Sequence, residues 1–540
     1  MNPSSFNLFT NPSLYRKEII ERKALVKANK EDYHGKSFMC VFFTRFCGVG
    51  CPFCFFKSAP MRDECSVIDQ FNKDGVDRFI TFCNQANLGY VLVSGGGEPL
   101  NQKYAVLRTI AEVKTDRIVL VTSGSWAFNK EAGRRYLKDI ETAISKRENP
   151  CKVVVRVSVS EGHAIKLGTR PATNLIQLFE ELYPNHPYLK FQIHAFENDS
   201  MLERTLANFP GHQLLVDVNK RASDDEQVVK IIPQRMEVTF LSGYKIVVGV
   251  SKVFDSGMRP NLNQIENHLK TIKVFERDLE ESEDNNSAVL YNTNGEKGVD
   301  WSLNYNGNIC LWQNQVNDNQ FNLYEDSYEK IWNGIFEDPL MFSYIDKGRL
   351  YREKIVSEVS PKAVLRMKSI SLRDFSGTVI FEEEKTRLYY TIRAIQDFKA
   401  ENRLDLDEFE ELSQELKAAI NSDLETLQKL YFESSYSIFD QMKRVPFDSV
   451  KWRDFLELVK LGHYELSKEQ IQEILDHYNF NTNLKRYETI DEVDHEMGDP
   501  VQRRFVERLM YMKPSAFEIA TLRAKEAEEI EVLKDTFALN

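Results

Sequence analysis

The feature that most constrains the fold of this chain is a series of short apolar runs, rich in β-branched residues, with helical periodicity between them. The six runs are Phe38–Phe43, Gly89–Val93, Arg117–Val121, Val153–Val159, Tyr188–Ile193 and Gln213–Val218. Strands that recur roughly every 25–50 residues with helices between them are typical of βα units, which build a parallel sheet covered by helices. Six such units predict an α/β fold with an incomplete barrel, whose chemistry collects on the loops that follow the strands.

The remaining sequence is expected to extend this core on both sides. The predicted domains are a helical N-terminal extension at 1–36, the barrel at 37–230, a barrel-completing segment with a small hairpin extension at 231–345, and an α-helical C-terminal domain at 346–540. Ser242-Gly243 and Asn306-Gly307 each lie between two short apolar runs and supply the residues of a tight turn. Two β-hairpins are therefore predicted in the third segment.

Composition limits the partners and the compartment. The formal net charge of −12 argues against broad contact with a phosphate backbone, so nucleic acid is an unlikely ligand. The sequence contains no apolar run of about 18 residues, the length that spans a bilayer, and its N-terminus lacks the pattern of a signal peptide. The eight cysteines are not spaced as a disulfide framework, which predicts a reducing, cytoplasmic setting without membrane contact.

Three of the cysteines, Cys47, Cys51 and Cys54, follow the first predicted strand at a C-x-x-x-C-x-x-C spacing. Three thiolates on one short loop can hold three irons of a [4Fe–4S] cluster and leave the fourth iron open to a ligand that is not protein. The alternative is a zinc knuckle, which needs four ligands. Cysteines or a histidine near the loop offer the fourth ligand in that case: Cys40, Cys65 or His34.

A glycine-rich turn follows the second predicted strand. Its residues are Ser94, Gly95, Gly96, Gly97 and Glu98. Three successive glycines allow a ligand to approach bare backbone, because no Cβ stands in the way. Glu98 and the exposed backbone groups can then grip an ammonium and a carboxylate. The turn and the cysteine loop are expected at the same edge of the sheet.

Together these two motifs resemble the radical SAM superfamily. Its signature is this cysteine spacing with an aromatic residue before the last cysteine, here Phe53, followed by a Gly-Gly-Glu turn after the next strand. The resemblance implies a partial (β/α)6 TIM-like barrel, with Cys47, Cys51 and Cys54 as ligands of one [4Fe–4S] cluster. It also implies that Ser94–Glu98 bind the amino group of S-adenosylmethionine.

Two later loops carry further likeness. Ser123 occupies the position of the Asn in the Thr-Asn-Gly of many relatives, and the resemblance implies a contact with the ribose of S-adenosylmethionine. The stretch from Ser158 through Ser160 to Arg170 is similar to a Ser-x-Asp-Gly…Arg pattern in peptide-maturing and sulfatase-maturing enzymes. By that likeness Ser158 or Ser160 faces the ribose and Arg170 pairs with the methionine carboxylate. The competing interpretation of Arg170 is a surface arginine.

The resemblance implies an enzyme that cleaves S-adenosylmethionine reductively to a 5′-deoxyadenosyl radical, which removes hydrogen from a substrate. An electron donor such as a flavodoxin or ferredoxin is implied as a partner. A stretch from 300 to 332 is similar to the start of the SPASM extension, which favours a peptide over a small metabolite as substrate. That stretch contains only Cys310, so a single cluster is expected. The alternative function is a non-catalytic iron–sulfur or zinc-binding scaffold that acts in protein–protein interaction.

Overall fold

The fold is given by a computed structural model of the chain. It describes residues 7–23, 25–51, 58, 70–196, 199–217, 235–251, 292–293, 296–311, 321–347, 349–360, 380, 383–445, 464–481 and 487–493, with single residues between 452 and 460. The strands are β1 Ser37–Val41, β2 Leu88–Val93, β3 Arg117–Thr122, β4 Lys152–Val159, β5 Leu189–Phe196, β6 Gln213–Asp217, β7 Arg235–Thr239, β8 Lys245–Ser251, β9 Asn292–Thr293, β10 Glu296–Lys297, β11 Asp300–Leu303, β12 Asn308–Leu311 and β13 Phe321–Asn322. The helices are α1 Pro12–Glu21, α2 Lys73–Gln85, α3 Lys103–Glu112, α4 Lys130–Ser145, α5 Glu161–Leu167, α6 Arg170–Leu182, α7 Met201–Leu206, α8 Tyr328–Glu337, α9 Pro339–Asp346, α10 Arg349–Ser357, α11 Glu384–Ala400, α12 Leu406–Glu410, α13 Gln414–Asn421, α14 Leu424–Glu433, α15 Ile438–Met442 and α16 Lys468–Asn481.

Within the described residues, eleven strands form one mixed sheet in the order β13-β12-β11-β1-β2-β3-β4-β5-β8-β7-β6, and β9 pairs with β10 separately. The run from β11 to β8 is parallel throughout. Both flanks end in antiparallel pairs. The predicted α/β class is therefore confirmed, with helices following the successive parallel strands. None of the described helices combines the length and apolarity needed to cross a bilayer.

The two faces of the sheet bury different side chains, as the two-residue period of a strand requires. Along β1 and the residues after it, Met39, Val41 and Phe43 pack into the main core with the helices. Phe38 and Phe42 point to the opposite face and join a smaller apolar cluster there. A fully buried phenylalanine side chain stabilises the fold by about 1.5–3 kcal/mol, so both faces hold β1 firmly in place.

The position predicted for the sixth strand is wrong. Gln213–Val218 was expected to be the sixth parallel strand, but β6 lies at the sheet edge and pairs antiparallel with β7. The neighbour of β5 is β8, whose Ile246 and Val248 are fully buried, whereas Leu215 on β6 is 64% exposed. A strand inside a parallel sheet must be apolar on both faces, and β8 meets this demand better than β6.

Both predicted hairpins are confirmed. Gly243, at φ +85°, lies in the turn between β7 and β8, and Gly307, at φ +84°, lies in the turn between β11 and β12. The second hairpin also continues the main sheet, because β11 pairs in parallel with β1 and places Trp301 opposite Met39.

The N-terminal helix α1 packs against the helices that follow the sheet. A buried ion pair joins Arg16 of α1 to Asp338, and the backbone N–H of Ser413 donates to the carboxylate of Glu18 at 2.6 Å. One continuous core runs from Leu8 to Tyr431, and a second, smaller core lies between 439 and 493. The chain that precedes the sheet is thus held by the helices that come after it.

Candidate functional site

Four loops meet at the edge of the sheet where its parallel strands end. Cys47 and Cys51 follow β1, the glycine turn 94–98 follows β2, Ser123 follows β3 and Ser160 follows β4. Adjacent parallel strands in register bring the loops at their carboxyl ends together. Cys54, Phe53 and Cys65 lie outside the described residues.

The glycine turn presses directly on the segment that leads into the cysteine loop. A Cβ on Gly97 would lie 2.1 Å from the carbonyl oxygen of Phe46, one residue before Cys47. The next backbone N–H, that of Glu98, donates to the same oxygen at 2.9 Å. Gly96 has φ +66°, and a Cβ there would lie 2.6 Å from the carbonyl oxygen of Thr44. Only glycine fits these two positions, because their neighbours are backbone atoms that cannot swing away.

The two described cysteines of the motif differ in exposure. Cys51 is buried and Cys47 is half-buried, and both lie in the loop after β1. Among the described residues, no three His, Cys, Asp or Glu side chains converge as a metal site. The expected trio includes Cys54 and so is not covered by that statement.

The fourth ligands considered for a zinc knuckle are poorly placed in this structure where it describes them. Cys40 is fully buried within β1, in the apolar cluster of Phe38 and Phe42, and burial raises the pKa of its thiol well above the usual value. A thiol in such surroundings resists forming the thiolate that a metal needs. His34 stacks on Trp332 and precedes β1, at the opposite end of that strand from Cys47. Cys40 and His34 are therefore poor candidates for a fourth ligand, and Cys65 lies outside the described residues.

The carboxylate of Glu98 is buried and turned toward the end of β3. One oxygen accepts hydrogen bonds from the Thr122 hydroxyl at 2.6 Å and from the N–H of Leu100 at 3.3 Å. The other accepts from Ser123 twice, from the N–H at 2.8 Å and from the hydroxyl at 2.6 Å. Trp126 in turn donates its indole N–H to the Thr122 hydroxyl at 2.9 Å. The side chain of Glu98 therefore ties the glycine turn to the loop after β3.

Burial and hydrogen bonding shift the pKa of Glu98 in opposite directions. Removal from water raises the pKa of its carboxyl above the ordinary value, while the four donors from Thr122, Ser123 and Leu100 oppose that rise. Burial is the larger effect. The carboxylate contributes four accepting positions and meets four donors, so its hydrogen-bonding needs are met inside the protein.

A small polar cavity lies beside this network. Its walls include all three serines that were expected at the ribose, namely Ser123, Ser158 and Ser160. His163 and Thr205 also line it. Its volume of about 10 Å³ accommodates roughly one water molecule. The structure thus brings together three residues that the sequence analysis placed in one ligand contact.

His163 and Thr205 add two features to this cavity that the sequence patterns do not assign. The Nδ1 atom of His163 lies 2.7 Å from the Ser160 hydroxyl, and burial lowers the pKa of the imidazole to about 4, so the ring is neutral at pH 7. The hydroxyl of Thr205 is fully buried and has no hydrogen-bond partner among the residues that the structure describes. Thr205 lies on the short helix α7 after β5, where no motif draws attention to it. The cavity has room for the one water molecule that would satisfy this hydroxyl.

Arg170, by contrast, is not among the residues that line the cavity. It is the first residue of α6, is exposed, and places its guanidinium 4.9 Å from the centre of the Phe128 ring. Such a contact at an exposed position is worth about 0.5–1 kcal/mol. In this structure Arg170 therefore serves as a surface cation that packs on an aromatic ring.

Comparison with known proteins adds no assignment, since neither a protein-family model nor a curated protein sequence matches this chain. The function is therefore inferred from the geometry of the four loops.

Proposed function

We propose that this chain is a radical SAM enzyme with a partial (β/α)6 barrel, acting on a peptide or a small metabolite. The observation that carries the proposal is the close contact between the glycine turn and the cysteine loop, at Gly97 and Phe46. In that arrangement a ligand of an open metal position would also reach the bare backbone of the turn.

The donor set fits the group that this function needs. Cys47, Cys51 and Cys54 would hold three irons of a [4Fe–4S] cluster, since thiolates are the usual ligands of such clusters. When bound, the cluster and S-adenosylmethionine would supply a 5′-deoxyadenosyl radical, with one electron from a flavodoxin- or ferredoxin-type donor. The protein's own part is to bind, orient and keep water away from the reacting groups.

The backbone and the side chains of the site would have different parts in binding the cofactor. The backbone of Ser94–Gly97 would receive the amino group of the cofactor, because the Glu98 carboxylate is already occupied by Thr122 and Ser123. Glu98 then acts as a positioning residue that keeps the turn in place. The cavity lined by Ser158 and Thr205 supplies hydroxyl groups for a polar ligand on the β4 side of the site.

Anaerobic reconstitution with iron and sulfide tests the proposal. Wild-type protein should take up about four irons per chain and release 5′-deoxyadenosine from S-adenosylmethionine when dithionite is added. Alanine substitution at Cys47, Cys51 or Cys54 should abolish both. Cys151→Ala is the matched control, because Cys151 is a buried cysteine directly before β4, at the other end of the sheet.

Two results would contradict the proposal. One is zinc at about one atom per chain without cleavage of S-adenosylmethionine, which would favour the scaffold function. The other is cleavage that survives the loss of Cys51, which would place the chemistry elsewhere in the protein.

A further inference from the structure

The central parallel strands β4, β5 and β8 carry polar side chains on the face that points away from the helices. On the helix side Val155, Val157, Ile193 and Val248 are fully buried in the main core. The opposite side is half-buried and consists, toward the ends of these strands, of Arg156, Ser158, Gln192, His194 and Gly249, which we call the polar face. Strands inside a parallel sheet are usually apolar on both faces, so core packing does not account for these residues.

Strand pairing places the residues of the polar face side by side. Arg156 lies opposite Gln192, Ser158 lies opposite His194, and His194 lies opposite Gly249 on its other side. The Nε of Arg156 donates to the Oε1 of Gln192 at 3.0 Å. A guanidinium only donates, so this bond turns the amide oxygen of Gln192 toward Arg156 and leaves the amide nitrogen on another side.

Gly249 leaves a gap beside that amide nitrogen. A Cβ on Gly249 would lie 3.5 Å from the Nε2 of Gln192 and 4.0 Å from the Cδ2 of His194, so there is room for an additional group here. The bond to Arg156 is the one hydrogen bond of the Gln192 side chain among the described residues. Glycine inside a strand often marks a place where another molecule approaches closely. The N–H groups of Gln192 are therefore donors available to a ligand in this gap.

The charge around the polar face favours an anionic ligand. The charged side chains that the described residues of β3, β4, β5 and β8 place on this side of the sheet are all cations: Arg117, Lys152, Arg156, Lys190 and Lys245. Glu237 of the next strand, β7, pairs with Lys245 at 2.8 Å. The whole chain has a formal net charge of −12, so this excess of cations is local. A surface with an excess of one charge attracts ligands of the other.

The polar face adjoins the loops of the candidate site. Ser158 follows Arg156 on the same side of β4, about 6–7 Å further along the strand. Ser158 also lines the small cavity next to Ser123. A ligand held at Arg156 and Gln192 would therefore lie next to the loops at the ends of the strands.

We infer that the polar face binds the substrate through a carboxylate group, with the guanidinium of Arg156 and the amide N–H groups of Gln192 as donors. The inference rests on the proposed function for the role of this ligand as substrate. A carboxylate fits better than a phosphate, because one guanidinium beside a neutral amide and the Ser158 hydroxyl matches a single negative charge. An acidic peptide side chain and a small carboxylic acid share this chemistry.

Calorimetric titration of the reconstituted full-length protein tests the inference with three probes: glutarate, its neutral diamide glutaramide, and inorganic phosphate. Glutarate should bind, and glutaramide, which has a similar size but no charge, should bind at least about tenfold more weakly, as the loss of charge-assisted hydrogen bonds predicts. Phosphate should bind more weakly than glutarate.

Two variants locate the bound carboxylate. Arg156→Met should weaken glutarate binding at least about tenfold, because it removes the guanidinium. Gly249→Ala places a methyl group in the gap at ordinary contact distance, so it should keep the fold and weaken binding roughly fivefold or more. Lys152→Met is the matched control. Lys152 lies on the same side of β4 but about 13 Å before Arg156, beyond the Debye length at physiological salt, so binding should stay within about twofold of wild type.

Glutarate binding no tighter than that of glutaramide or of phosphate would overturn the inference. Binding that is unchanged in Gly249→Ala, or that falls as far in Lys152→Met as in Arg156→Met, would overturn it as well. Circular dichroism shows whether Arg156→Met is folded, and Gly249→Ala decides the question if it is not. Wild-type protein that binds glutarate as expected but takes up no iron would support the carboxylate site and refute the proposed function.

Discussion

Ser123 donates both its backbone N–H and its hydroxyl to a single carboxylate oxygen of Glu98, at 2.8 and 2.6 Å. The two residues belong to different loops, one after β2 and the other after β3. These two hydrogen bonds to one oxygen fix the relative position of the two loops. The glycine turn, and through it the cysteine loop, is held in place by a residue pair 25 positions apart.

Removal of the Glu98 carboxylate should destabilise the protein. Glu98→Ala leaves the Thr122 hydroxyl and both Ser123 donors buried without an acceptor, which is expected to lower the free energy of unfolding by about 2–3 kcal/mol. Urea denaturation measures the change. Glu148→Ala, at an exposed glutamate, is the control and should stay within about 0.5 kcal/mol of wild type. Equal stability of both variants would show that the Glu98 carboxylate does not stabilise the fold.

Glu98 should also make stability depend on pH. Its carboxyl has a pKa raised by burial above the ordinary 4.5, so the folded state holds this proton more tightly than the unfolded state does. Stability from this group is therefore highest below pH 4.5 and falls as the pH rises through the higher pKa of the folded state. Relative to Glu98→Gln, wild type should lose stability as the pH rises across this window. A constant difference between the two proteins from pH 4 to 7 would contradict the raised pKa.

His163 should also make stability depend on pH, but with the opposite sign to Glu98. Its pKa falls from 6.5 to about 4 on folding because burial disfavours the charged ring. The stability that comes from the neutral ring is present above pH 6.5 and is lost as the pH falls toward 4, by an amount on the order of 3 kcal/mol. His163→Gln should flatten this part of the curve of unfolding free energy against pH. An unchanged slope in His163→Gln would contradict the lowered pKa of this ring.

Gly97 gives a steric test of the contact that carries the proposed function. In Gly97→Ala the new methyl group would overlap the backbone of Phe46, so the cysteine loop must move. The expected cost is about 1–3 kcal/mol in unfolding free energy, together with reduced iron retention after reconstitution. Gly48→Ala, in the cysteine loop itself, meets nothing closer than 4.0 Å and should retain iron. Normal iron content in Gly97→Ala would show that the two loops are not coupled.

The buried pair of Arg16 and Asp338 predicts that α1 is essential to the helical part of the protein. Arg16→Met should destabilise the fold by about 3–5 kcal/mol, because it leaves the Asp338 charge buried without its partner. The double variant Arg16→Met with Asp338→Asn should recover part of that loss. Thermal unfolding of the two variants measures the difference. A double variant less stable than Arg16→Met alone would contradict this account of the loss.

The sequence predicted the parts of the fold that depend on local patterns. The first five parallel strands, the hairpin turns at Gly243 and Gly307, and the helical character of the described C-terminal residues are visible in apolar periodicity and turn residues. The pairing of β6 was predicted wrongly, because a later strand of suitable composition, β8, pairs with β5 instead. Local patterns report that a strand exists but not which neighbour it pairs with.

The candidate site, like the fold, was predicted where it depends on local sequence patterns and missed where it depends on contacts between distant residues. The positions of the cysteines and glycines after successive strands predicted that their loops lie at one edge of the sheet, and the structure places the two loops in contact. That these loops carry chemistry stays a prediction. The direction of the Glu98 carboxylate and the meeting of His163 and Thr205 at one cavity depend on residues that are brought together only by the fold. Such contacts join elements from different βα units, and no spacing along the chain encodes them.

The pairing of β11 with β1 bears on how the chain is made. The N–H of Phe38 donates to the Asp300 side chain across a separation of 262 residues. At about 5–20 residues per second, a ribosome needs roughly 13–50 s between these two positions. During that interval the nascent strand that leads into the cysteines has one edge unpaired, and open edges invite association with other chains. Under the proposed function, iron loading is therefore expected to follow completion of synthesis, and a product that stops short of residue 300 should aggregate rather than acquire metal.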